Sequence, residues 1–114
     1  MPHCIIEYAK NIEHSVTPQQ LLNAVFQGTA KSQLFYKDTD IKTRAIAYEH
    51  YQIGAKKDDF VHVTIKILSG RTLTQRQHLS SLVLDALSLL NFNDTSLTIE
   101  VIDMEKDSYT KKLT

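Results

Sequence analysis

Phe60-Val61-His62-Val63-Thr64-Ile65-Lys66-Ile67-Leu68-Ser69-Gly70-Arg71-Thr72-Leu73-Thr74-Gln75 is the stretch that decides how this chain folds. From Phe60 to Ile67 apolar and polar residues alternate. Val61, Val63, Ile65 and Ile67 therefore share one face of a strand, and Phe60, His62, Thr64 and Lys66 share the other. Ser69-Gly70-Arg71 reads as a turn. Thr72, with Gln75 three residues on, is a capping box that opens a helix. Leu79, Leu82, Val83, Ala86, Leu87 and Leu90 then recur at helical spacing, which predicts an amphipathic helix. A further strand is expected over residues 97–102, and a polar tail runs from Glu105 onward.

The first half of the chain repeats the pattern. Residues 3–8 read as a strand, and Thr17-Pro18-Gln19-Gln20 as a second capped helix start with proline in the first turn. Leu21, Leu22, Val25 and Phe26 give that helix its apolar face. An extended stretch follows from Ile41 to Tyr48, and Gly54-Ala55-Lys56-Lys57-Asp58-Asp59 is a polar break between the halves. The fold class is therefore α+β: two βαβ units forming a four-stranded sheet with two helices on one face. Each crossover places its flanking strands parallel. No helix remains for the second sheet face, which either meets water or meets another subunit; its mix of aromatic, polar and cationic residues favours a subunit.

Composition narrows the class of protein. One domain over residues 1–114 is expected from the length and from a hydrophobic content of 42%. Thirteen basic residues balance thirteen acidic ones with no basic stripe, which argues against nucleic acid as partner. Cys4 is the single cysteine, so neither a disulfide framework nor a cysteine-based zinc site is expected. His3, His14, His50, His62 and His78 have no paired spacing that suggests a metal. No secretory signal or bilayer-length apolar run is evident, and a cytoplasmic, membrane-free protein is the simplest expectation.

Few residues are placed to carry chemistry. Pro2 stands directly before the first strand, and a free amino-terminal proline is a secondary amine. Its reference pKa near 8 can be brought towards neutrality by burial and nearby cations, which makes Pro2 a candidate general base. Met1-Pro2 alone also reads as an ordinary start of translation. Lys42 and Arg44 share a strand face and suit a carboxylate ligand, or are charges on a solvated edge. Arg71 follows a glycine and precedes a helix cap, where an arginine fork and the positive end of the helix dipole both favour carboxylates; the alternative is a local ion pair. His62 is a mid-strand residue of structural character. Phe35 and Tyr36 either line an apolar pocket or join the core, and Cys4 reads as a small core hydrophobe.

Pro2-His3-x-Ile5-x-Glu7, Ile41-x-x-Arg44, Phe60-Val61-His62-x-Thr64-x-Lys66-Ile67 and Gly70-Arg71-Thr72-Leu73-x-x-Arg76-Gln77 together resemble the 5-carboxymethyl-2-hydroxymuconate Δ-isomerase family of the tautomerase superfamily. The similarity runs from Pro2 to about Leu90. It implies a βαβ-βαβ subunit, a homotrimer built on the uncovered sheet face, and Pro2 acting as base once Met1 is removed. It also implies cations at Lys42 and Arg71 that hold the carboxylates of a small di- or tricarboxylate substrate, and no cofactor. The family pattern reads Ile-Arg-x-Arg, and here Lys42 replaces the first arginine, keeping the charge but losing the bidentate fork. Arg44 matches the second. The activity implied is an isomerase that moves a carbon–carbon double bond in an enol acid during aromatic catabolism. The alternatives are a tautomerase acting on another enol acid, or a non-catalytic trimeric binder that keeps Met1.

Overall fold

The computed structural model describes residues 1–56 and 58–114; Lys57, inside the polar break, lies outside the described residues. Strands β1 (His3–Ala9), β2 (Lys42–Tyr48), β3 (Asp59–Leu68) and β4 (Thr95–Met104) form one sheet in the order β2-β1-β3-β4. β1 runs parallel to β2 and β3 parallel to β4, while β1 and β3 pair antiparallel at the centre. Helices α1 (Pro18–Lys31) and α2 (Leu73–Ser88) link the parallel strands of the two halves. The expected two βαβ units are thus present, joined through their first strands.

Both predicted capping boxes form. Thr17 Oγ1 accepts the Gln20 N–H at 3.1 Å while Gln20 reaches back to the Thr17 N–H, and Thr72 and Gln75 repeat the arrangement. Cys4, Ile6, Val61, Val63, Ile65 and Ile67 point from the sheet into the same buried core as Leu21 and Val25 of α1 and Leu79, Val83 and Leu87 of α2. Alternation places Lys42, Arg44, Phe60, His62, Thr64 and Lys66 on the opposite face, where none of them is buried. Cys4 belongs to the core as expected: its Sγ lies 3.6 Å from Thr29 Oγ1, and burial raises its pKa. Among the described residues no helix is long and apolar enough to cross a membrane.

The structure adjusts the expected boundaries. α2 ends at Ser88, before Leu90, although the Leu90 N–H still bonds the Leu87 carbonyl and its side chain still packs on the core. β4 extends beyond residues 97–102 at both ends because it follows β3 in register from Asp59↔Thr95 to Leu68↔Met104. Short 3-10 turns lie at Lys10–His14, Asp38–Asp40 and Lys106–Ser108.

The two helices meet backbone to backbone at Gly28. A Cβ there would fall 2.8 Å from Val83 Cα and 2.9 Å from the Leu82 carbonyl oxygen, and neither atom belongs to a flexible side chain. Gly28→Ala is expected to destabilise the fold by about 1–2 kcal/mol, overpacking outweighing the helix-propensity gain of ~1 kcal/mol. Denaturant unfolding would show a lowered midpoint at unchanged slope; a wild-type midpoint would mean that the helices separate without cost.

Candidate active site

The sheet topology collects the chemistry-bearing residues at one end. β1 and β2 begin there, and β3 and β4 finish there, because His3 pairs with both Lys42 and Lys66. Pro2 is buried at this end, and its carbonyl accepts the Lys42 N–H at 3.1 Å, extending the β1–β2 ladder by one step. Gly70, at φ +124°, supplies the backbone conformation that turns the chain from β3 to α2 and delivers Arg71.

Arg71 is half-buried over the Phe35 ring, its Cζ 5.1 Å from the ring centroid. One terminal nitrogen donates to the Leu34 carbonyl at 3.0 Å and the other to the Leu68 carbonyl at 3.2 Å. The local alternative for Arg71 therefore takes the form of backbone carbonyls, with no carboxylate partner among the described contacts. A guanidinium has five N–H groups, so donors remain for an anion. Phe35 is buried beneath it, whereas Tyr36 is 97% exposed and joins neither core nor pocket.

Lys42 Nζ lies 2.7 Å from Met1 Sδ and donates to the Asp40 carbonyl at 3.3 Å. Arg44, two residues further along β2, turns to His3, with one terminal nitrogen 3.3 Å from His3 Nδ1. The other ring nitrogen, Nε2, lies 2.9 Å from Tyr109 Oη. Arginine can only donate, so Nδ1 accepts and a neutral His3 carries its proton on Nε2, towards Tyr109. Burial first, then Arg44 and Lys42, hold the His3 pKa below its usual value, which favours that neutral ring.

The electrostatics converge on the amino terminus. The pKa of the Met1 α-amine is lowered, foremost by burial and next by Arg71, with Lys42 and Lys111 acting in the same sense and Asp40 opposing them. Lys111 Nζ lies 3.4 Å from Asp40 Oδ1, with both side chains about one-third exposed. Lys42 and Arg71 are thus brought together around the chain start, while Arg44 stands one step away on the open sheet face. Asp40, Tyr109 and Lys111 were not legible beforehand. The tail reads only as polar sequence, and nothing in its composition says that it folds back across the start of β1. His62 lies further along the open face, between Thr98 Oγ1 at 2.7 Å and Glu100 Oε1 at 3.0 Å, in keeping with a structural role.

A four-stranded sheet of two βαβ units with two helices is a tautomerase-like fold. The chain belongs to the 5-carboxymethyl-2-hydroxymuconate isomerase family, whose model matches residues 2–112. Comparison with curated proteins gives no match. Among solved structures, a 5-carboxymethyl-2-hydroxymuconate delta-isomerase is similar over 100% of this chain and 89% of its own, with TM-score 0.80 and 16% identity. A 5-carboxymethyl-2-hydroxymuconate isomerase from Deinococcus radiodurans R1 is similar over 99% of this chain and 90% of its own, with TM-score 0.71 and 24% identity. A fused 4-OT, described as a wild-type symmetric trimer, is similar over 91% of this chain and 86% of its own, with TM-score 0.73 and 15% identity.

Proposed function

We propose that this protein is a cofactor-independent isomerase of 2-hydroxydienoate di- and tricarboxylates, with 5-carboxymethyl-2-hydroxymuconate the foremost substrate and Pro2 the base. The observation that carries this reading is the gathering of Arg71 and Lys42 around the partly buried Met1 amino terminus, next to the buried Pro2 at the start of β1. Removal of Met1 converts the Pro2 amide nitrogen into a secondary amine in that same field. The neutral amine takes the proton of the substrate's 2-hydroxyl. The oxygen lone pair then forms the 2-oxo group, the C2=C3 double bond moves to C3=C4, and the C4=C5 electrons take the proton back from Pro2 at carbon 5. The base is regenerated and no atom is gained or lost.

The cations serve two ends. Arg71 and the Lys42/Arg44 pair hold carboxylates and stabilise charge developing towards the 2-oxo group. Being positive, Arg71 and Lys42 also disfavour protonated Pro2 and so keep it available as a base. A steady-state assay of the Met1-free protein against a panel of 2-hydroxydienoates and an aryl enolpyruvate tests the reading. Turnover preferring the multiply charged dienols is expected, and preference for the aryl enol would assign another enol acid.

The same reading includes a homotrimer joined through the open sheet face. Support comes from Phe60 on that face, packed edge to face against Tyr48 and Tyr51, and from Ile46 and Ile102, exposed by 48% and 39%. Equilibrium sedimentation at micromolar concentration should give three times the 13.0 kDa chain mass. A stable monomer would remove this element.

A further inference from the structure

We infer that the C-terminal segment completes the proposed site. On the dienol-acid reading above, Lys111 is a specificity-determining residue that takes a second carboxylate of the substrate, and Tyr109 is a positioning residue that holds the segment against His3. Side chains at two positions of this segment reach other elements among the described residues. Tyr109 Oη meets His3 Nε2 at 2.9 Å in a part-buried hydrogen bond, tying it to the residue that follows Pro2. Two residues later Lys111 reaches Asp40 at 3.4 Å, beside the start of β2.

The second contact is too weak to be what anchors the tail. A partly exposed ion pair at this distance contributes about 0–1 kcal/mol, so Lys111 can leave Asp40 for another carboxylate at little cost. Tyr109 supplies the anchor instead, which leaves the Lys111 ammonium available. Lys42 turns its own ammonium to the Asp40 carbonyl, so two lysines flank one acidic residue. Arg71 acts on the same amino terminus, and Asp40 is the single anion among the charged groups that do so. Arg71, Lys42 and Lys111 thus outnumber Asp40 around the chain start, a positive excess that suits a ligand carrying more than one negative charge. Among the described residues, the Lys111 ammonium is held only by its weak pair with Asp40.

Muconate and sorbate test this directly. They share a six-carbon diene, carry two carboxylates and one respectively, and lack the 2-hydroxyl needed for turnover. Titration calorimetry of the full chain should show muconate binding more tightly than sorbate. Lys111→Gln should raise the muconate dissociation constant about tenfold, the loss of one charge-assisted hydrogen bond, and leave that of sorbate unchanged. Lys111→Arg should restore muconate binding, and Tyr109→Phe should weaken it about threefold in the same selective sense. An equal loss for both acids in Lys111→Gln, unchanged muconate binding in that variant, or no binding of either acid to the wild type overturns the inference. Turnover plays no part in this titration. An inactive protein that still selects muconate through Lys111 would overturn Pro2 catalysis alone, whereas an active enzyme indifferent to Lys111→Gln would overturn the role of the tail alone.

Discussion

Protein from which Met1 has been removed is expected to show kcat/KM for a 2-hydroxydienoate that rises with pH and levels off, and protein that keeps Met1 is expected to lose about 10²–10⁴-fold of that activity. The sign follows from the base. Pro2 can accept a proton only when neutral, so activity is lost as pH falls through the pKa of its amine. At the Met1 α-amine, burial, then Arg71, and further Lys42 and Lys111 lower the pKa against the opposition of Asp40, and a freed Pro2 amine, one residue along, meets the same cations. The rising limb should therefore lie below the value of about 8 typical of an α-amine. With Met1 in place the Pro2 nitrogen is an amide whose lone pair is delocalised into a carbonyl, and it has no useful basicity. Intact-mass measurement and a pH–rate profile on the same sample decide the matter. Full activity in a homogeneous Met1-containing sample, or a profile flat from about pH 5 to 9, would eliminate the amine as base, since even its unperturbed pKa falls inside that range.

Arg71→Ala should cost about 2–4 kcal/mol in kcat/KM, the scale of losing one partner of a desolvated charge pair. The same guanidinium ties the Leu34 and Leu68 carbonyls together and lies over Phe35, so the alanine variant also loses a structural clamp. Arg71→Lys separates the two effects. It retains the charge while giving up the planar fork, and unfolding midpoints measured alongside report the clamp. Lys42→Arg should be tolerated or beneficial for a substrate whose carboxylate prefers bidentate contact. If Arg71→Ala acts as wild type, or Lys42→Arg abolishes activity, the carboxylate site lies elsewhere.

Local chemistry made much of this molecule legible from its residues. Thr17 with Gln20 and Thr72 with Gln75 are capping boxes in the structure because each needs only three residues of helix to satisfy itself. The alternation from Phe60 to Ile67 separates core from open face because strand side chains alternate whatever surrounds them. Repetition of strand, helix and strand leaves little choice but parallel pairing within each half. The proximity of Pro2 and Lys42 follows from that parallel pairing, since both stand at the start of neighbouring strands, whereas Arg71 joins them only through the pairing of β1 with β3.

Tertiary structure decided the rest. The antiparallel pairing of β1 with β3 joins the two halves, and it depends on contacts between residues about 60 positions apart in sequence. Gly28 costs α1 helix propensity, and its use, the close approach of Val83, exists only once the two helices pack. The polar segment after Glu105 has no periodicity to interpret. Its course across the start of β1 is set by single contacts, Tyr109 to His3 and Lys111 to Asp40, made with residues at the other end of the sequence. Caps and strand faces are determined over a few neighbouring residues, so sequence alone contains them. A charge cluster built from distant segments exists only once the chain has closed on itself.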